Sequence, residues 1–133
     1  MSVFGRKISG QTVAGVALLM VVAALLPVMT SAPARDIVLV TRDMSFYLEG
    51  DMATPNPVIE VKAGERVRIV LRNEERGLVH DFAVPALHSA IDGLRYNEEG
   101  DVAFEAPDVP GTYEYICRPH MLMMKGTITV RAR

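Results

Sequence analysis

From Arg35 onward, apolar side chains recur at every second position, in runs broken by proline or glycine. Ile37 and Leu39 alternate with Val38 and Val40, a run that is apolar on both faces. Val67, Ile69 and Leu71 alternate with Arg66, Arg68 and Arg72. His80, Phe82 and Val84 share one parity, Tyr113, Tyr115 and Cys117 another; Val102 and Phe104 form a pair after Asp101. Ile128 and Val130 are interleaved with Thr127, Thr129 and Arg131. Successive side chains of a strand point to opposite faces, so this spacing predicts half-buried strands. Turn residues stand between the runs: Pro55-Asn56-Pro57, Gly64, Gly77, Pro85, Gly100, Pro107 to Gly111, and Pro119. Seven or eight short strands so punctuated read as an all-β sandwich or barrel. The longest connection, Pro85 to Gly100, is expected to hold one short helical turn around Ser89–Leu94.

The first 34 residues follow a different logic. Arg6 and Lys7 precede a stretch from Ile8 to Ala34 that has no charged residue, and Ala32-Pro33-Ala34 closes it. A basic start, an apolar middle and an Ala-x-Ala end are the parts of a secretory leader, with cleavage after Ala34. The other reading is an uncleaved anchor over residues 8–29, although the apolar heart from Val13 to Leu26 falls short of the ~20 residues a spanning helix needs. In either case residues 35–133 form one exported domain, periplasmic or otherwise extracytoplasmic, with no membrane span of its own. Taking Arg6 and Lys7 from the 14 basic residues leaves 12 against 16 acidic ones. That balance argues against a nucleic-acid binder.

The chain has one cysteine, so no intrachain disulfide can staple it. A free thiol in an oxidising compartment is open to oxidation and intermolecular pairing. Here the thiol has company. Cys117 is followed by His120 and by Met121, Met123 and Met124, and a second histidine, His80, lies upstream at the start of its own strand. Two imidazoles, one thiolate and a weak thioether are the donor set that selects copper for electron transfer. Each residue also has an ordinary reading. Cys117 could be a core thiol, His80 a structural strand histidine, and one or two of the methionines gap-fillers. His88, in the long connection and outside the pattern, reads as a solvated loop residue. The arginines at 66, 68, 72 and 76 read first as a solvated face, and Tyr113 and Tyr115 as core packing with satisfied hydroxyls.

The ending Tyr113-x-Tyr115-x-Cys117-x-Pro119-His120, then Met124-x-Gly126, then an alternating last strand, resembles the cupredoxins, the small blue copper proteins; the plastocyanin, pseudoazurin and amicyanin branch is nearest. Asn73 to Phe82 looks like the segment bearing that family's first histidine ligand, Pro107 to Tyr113 like the turn before its cysteine strand, and Val61 to Glu65 like the strand and turn entering its core. The resemblance covers most of residues 58–131. It implies an antiparallel Greek-key β-sandwich with one type 1 copper per chain at one end, held by His80, Cys117, His120 and an axial methionine.

Two departures from the family pattern bear on the site. Asp81 follows the first histidine, where the family often has an asparagine whose amide ties the ligand loops together. An ionised Asp81 accepts a hydrogen bond from a loop N–H but cannot donate one. The loop also offers a choice of axial ligand. Strand parity selects Met124, which shares the face of Gly126, Ile128 and Val130; the shorter amicyanin-like count selects Met123.

The function so implied is one-electron transfer by a monomer, with no substrate transformed. Transient redox partners would dock near His120, where Pro119, Met121 and Leu122 offer an apolar rim. The alternative is a copper-binding or delivery protein, which Met121, Met123 and Met124 beside His120 would suit. An enzyme such as a nitrite reductase fragment is disfavoured, because one domain lacks the second copper site such enzymes build between domains.

Overall fold

The computed structural model describes residues 33–133. The expected leader, residues 1–34, and its alternative as an anchor over residues 8–29 therefore fall almost wholly outside the described residues. Among those described, no helix is long and apolar enough to cross a membrane.

Among the described residues, nine strands form two sheets. They are β1 (Arg35–Arg42), β2 (Ser45–Leu48), β3 (Val58–Lys62), β4 (Arg66–Asn73), β5 (His80–Val84), β6 (Ser89–Leu94), β7 (Glu99–Glu105), β8 (Gly111–Ile116) and β9 (Lys125–Arg131). One sheet runs β2-β1-β4-β7 and the other β3-β9-β8-β5-β6. The chain passes between the sheets after β2, β3, β4, β6 and β7, and both inner faces feed one core. Leu39, Ile69 and Leu71 from the first sheet meet Phe82, Tyr115 and Ile128 from the second, all fully buried.

This is the all-β two-sheet architecture expected, with three differences of detail. There are nine strands, because β2 and β6 are not visible as alternating runs. Each lies at a sheet edge and buries a single apolar side chain, Phe46 in β2 and Ile91 in β6, too little to show a period. The region around Ser89–Leu94, expected to be a helical turn, is β6 itself; the turn is a 3-10 turn at Pro85–Leu87, closed by a bond from the His88 N–H to Pro85 O of 3.2 Å. Nor is the pairing purely antiparallel. β1 runs parallel to β4, and β3 to β9, since each such pair is joined through strands of the opposite sheet rather than by a hairpin.

Two arginines of the basic row of β4 are paired with acids. Arg68 bridges Asp36 on β1 (3.0 Å) and Asp101 on β7 (3.1 Å), and Arg72 bridges Glu99 (2.5 Å) and Glu49. These exposed pairs add little stability, but they turn a row of positive charge into a mixed grid, as expected of a solvated face.

The aromatic centre of the core adjoins the ligand loop. Tyr115 packs with its ring centroid 5.4 Å from both Phe46 and Phe82, and its hydroxyl donates to Pro57 O at 2.6 Å. Burial pushes the pKa of this phenol above its ordinary value. Its cross-strand partner is Gly126. A Cβ there would lie 2.3 Å from the ring and the hydroxyl of Tyr115, and the ring is fixed on three sides. Gly126→Ala is therefore expected to destabilise the domain by about 1–3 kcal/mol through overpacking, read as a lower urea midpoint at unchanged m-value.

Candidate metal centre

His80 opens β5 with its ring completely buried, because it takes the inward parity of Phe82 and Val84. Cys117 ends the β8 run on the inward face and is likewise completely buried. Pro119 then forces the chain into a 3-10 turn over Arg118–His120, which swings His120 back over the thiol. The loop is closed by its own backbone. Cys117 N–H donates to Met124 O (2.9 Å), His120 N–H to Cys117 O (3.1 Å), and the N–H groups of Met123 and Met124 both donate to His120 O (2.9 Å each).

The result is a convergence of three donors. Cys117 Sγ lies 3.7 Å from His80 Nδ1 and 3.5 Å from His120 Nδ1, and all three donor atoms lie within 4.8 Å of one another. The two imidazole rings are 4.9 Å apart between centroids. Of the expected ligands, His80, Cys117 and His120 are thus brought together. Met124 is buried directly beyond the loop while Met123 is 60% exposed, the division that parity anticipates. His88 is exposed and stands outside the cluster.

The protonation states suit a soft metal. Burial is the main influence on His80 and lowers its pKa, against the opposing pull of Glu75, so its ring is held neutral. Burial likewise raises the pKa of the Cys117 thiol, so a metal entering here displaces a proton from Sγ. A thiol and two imidazoles facing one point fit copper by their donor chemistry.

Four residues that organise the site carry no mark as ligands in the sequence. Glu75 Oε2 lies 2.9 Å from His80 Nε2 and accepts the Met44 N–H at 3.0 Å. With Nε2–H donated to the carboxylate, Nδ1 is left with its lone pair toward Cys117, the arrangement that orients a ligating histidine. Met44 itself sits at φ +55° in the β1–β2 turn, a conformation uncommon outside glycine and asparagine. Asn73 is fully buried and fully bonded. Its Oδ1 accepts from Thr41 Oγ1 (2.9 Å) and Glu75 N (2.8 Å), and its Nδ2 donates to Leu78 O (2.9 Å) and Leu94 O (2.8 Å). It pins the β4–β5 connection that delivers His80. A polar residue at the inward parity of Val67, Ile69 and Leu71 is the signal that marks it. Asn56, at φ +48°, accepts the Phe46 N–H through Oδ1 (3.1 Å) and donates from Nδ2 to Met123 O (3.1 Å); its place between two prolines hints at a special turn and no more. The fourth is Arg118. Asp81 accepts its backbone N–H, as the sequence anticipates for a carboxylate at that position, and also accepts its side chain.

The family model of the cupredoxin-like domain matches residues 15–130. Amicyanin-alpha of Methylorubrum extorquens is 36% identical over 81 residues, covering 59% of this chain and 65% of that protein, so the match spans just under two thirds of the relative's length. Among solved structures, auracyanin B aligns with a TM-score of 0.61 at 24% identity, over 77% of this chain and 93% of that one. Rusticyanin from Thiobacillus ferrooxidans aligns with a TM-score of 0.58 at 20% identity, over 76% and 79%. At such identities the structural likeness speaks to the fold.

Proposed function

The chain belongs to the cupredoxin-like domain family, and from that premise we propose that it is an exported one-electron carrier with a single type 1 copper, which His80, Cys117, His120 and Met124 would hold. The observation that carries this reading is the meeting of two imidazole Nδ1 atoms at one buried thiol, 3.7 and 3.5 Å away. Bound there, copper supplies the one-electron couple. The protein's part is to keep the donors still. Glu75 fixes the ring of His80, the backbone bonds of the 117–124 loop fix Cys117 and His120, and the packed core behind Tyr115 leaves the site little room to relax. A site whose donors are held on strand ends by a supporting shell is a rigid one, and rigidity keeps the reorganisation on gaining or losing an electron small.

His120 is half-buried at the surface, and Met121, Leu122 (89% exposed) and Met123 surround it with exposed apolar side chains. That rim supports docking of transient redox partners to a monomer, through the small interface such encounters use, under ~1,200 Å². Leu122→Glu is expected to slow electron exchange with a partner protein at least about tenfold, about 1.4 kcal/mol, with the visible spectrum unchanged. Stopped-flow kinetics against a panel of soluble redox proteins measures it, and equal rates with every partner would remove the docking role. The extracytoplasmic location is supported by the leader-like sequence ahead of Arg35.

A second reading is favoured by one feature. Met44, Met121 and Met123 line a single surface concavity of about 450 Å³ together with His120, and thioethers suit copper(I). In that reading the chain acquires and hands on copper(I). The deciding experiment is titration of the purified protein with copper(II). An intense band near ~600 nm at one equivalent, the charge-transfer signature of a His₂Cys trigonal site, supports the carrier; a colourless copper(II) form with tight copper(I) binding supports acquisition.

A further inference from the structure

Asp43 and Met44 make the turn between the antiparallel strands β1 and β2, at φ +49° and φ +55°. Two successive residues in the left-handed region are what a type I′ hairpin turn requires, and such turns prefer Asn-Gly or Asp-Gly. A methionine therefore stands where glycine fits most easily. The Met44 N–H donates to Glu75 Oε2 at 3.0 Å and holds the turn in place. Residues kept in such sparsely populated conformations gather at functional sites. Met44 packs partly against the core and also lines the concavity of about 450 Å³ that Met121, Met123 and His120 share. Met121 and Met123 are both exposed. Of the five methionines among the described residues, three thus open onto one hollow. Arg118, which also lines it, has its charge engaged by Asp81 at 2.6 Å.

We infer that this hollow is an entry port for copper(I): the thioethers of Met44, Met121 and Met123 take up the ion and pass it by way of His120 to the centre beneath. The inference rests on the carrier reading, because the proposed centre is the destination. It makes the thioethers a way in, not the final holder that the second reading needs. The two sets of donors divide the work by their chemistry. A thioether is soft, suits copper(I) and has no proton to lose. A thiol gives up its proton before it binds, and Cys117 is completely buried. Capture at the surface thus requires no deprotonation, which is deferred to the inward step. His120 links the two places, since it lines the hollow while its Nδ1 lies 3.5 Å from Cys117 Sγ. In the inward step the thioether bonds to copper(I) break. Nδ1 of His120, Nδ1 of His80 and Sγ of Cys117 form the bonds that replace them, and the thiol proton leaves to solvent. No electron moves, so the centre is filled in its reduced state.

The test has two arms. In the first, the metal-free full chain is mixed without oxygen with copper(I) as its bicinchoninate complex, and loss of that complex's colour gives the rate of uptake. A triple variant, Met44→Leu with Met121→Leu and Met123→Leu, keeps the apolar volume and removes the sulfurs. It is expected to take up copper(I) at least about tenfold more slowly. Uptake of aqueous copper(II), read by the band near ~600 nm, is expected to keep the parent rate, because thioethers favour the softer ion. The second arm reads the port by itself in Cys117→Ala, whose centre has no thiolate. There the three leucines are expected to weaken copper(I) binding at least about tenfold in competition with the same chelator. Copper(I) uptake at the parent rate overturns the entry route, and unchanged affinity in Cys117→Ala overturns the thioether site. Equal slowing of copper(I) and copper(II) also overturns the route, since a disturbed loop slows both. Should the triple variant fail to fold, Met121→Leu with Met123→Leu, two changes at exposed positions, carries both arms with the same signs. A colourless copper(II) form would remove the carrier reading and leave the affinity arm intact, so the two failures are separable.

Discussion

Cys117→Ala is expected to abolish the copper(II) band near ~600 nm completely while leaving a folded domain. The band requires a thiolate bonded to the metal, and Cys117 is the chain's sole cysteine, so no other side chain can restore it. The fold is expected to survive because only one sulfur atom is removed from a core that includes Phe46, Phe82 and Tyr115. Far-UV circular dichroism and the urea midpoint check this, and the loss of colour is then a statement about the ligand alone. Proton release gives an independent reading of the same residue. Burial keeps the parent thiol protonated at neutral pH, so copper uptake by the parent is expected to release one proton that the variant does not. A variant that stays blue would refute the ligand assignment and with it the carrier.

Met124→Gln is expected to change the visible spectrum and lower the reduction potential by more than about 59 mV, which is a tenfold change in a one-electron equilibrium. Met123→Gln is expected to leave both nearly unchanged. An amide oxygen is a harder and stronger axial donor than a thioether, and the axial ligand tunes the potential of such a site. The contrast between neighbours comes from their faces. Met124 is fully buried and continues the inward parity of Ile128 and Val130; Met123 is 60% exposed and gives its carbonyl to Asn56. Redox titration of the two copper-loaded variants decides the matter. A change confined to Met123→Gln would reverse the axial assignment.

Much of the fold was legible because it is local. Alternation is a property of neighbouring residues, so the strands whose inward residues recur at every second position in the sequence, β1, β4, β5, β7, β8 and β9, announce themselves. The candidate centre was legible for the same reason on one side. Cys117 and His120 are three residues apart with a proline between them, and a tight turn at that spacing can aim both at one point. The choice of Met124 over Met123 needed only parity. His80 belongs to the pattern by family resemblance; nothing in the sequence between residues 80 and 117 says that the two ends meet.

What the sequence determined by itself, then, is which residues alternate, where the chain must turn, and which donors one loop can gather. The tertiary structure decided the rest. It made β1–β4 and β3–β9 parallel, turned Ser89–Leu94 into an edge strand, paired Arg68 of β4 with acids from β1 and β7, and put Glu75, Asn73 and Asn56 to work around the histidine and the loop. It also set Asp81 against Arg118, 37 residues later. The physical reason is common to all of these. A strand's face is fixed by its own period of two, but its neighbour is chosen by the burial of the whole core, and a hydrogen-bonding side chain finds its partner only after that choice has been made.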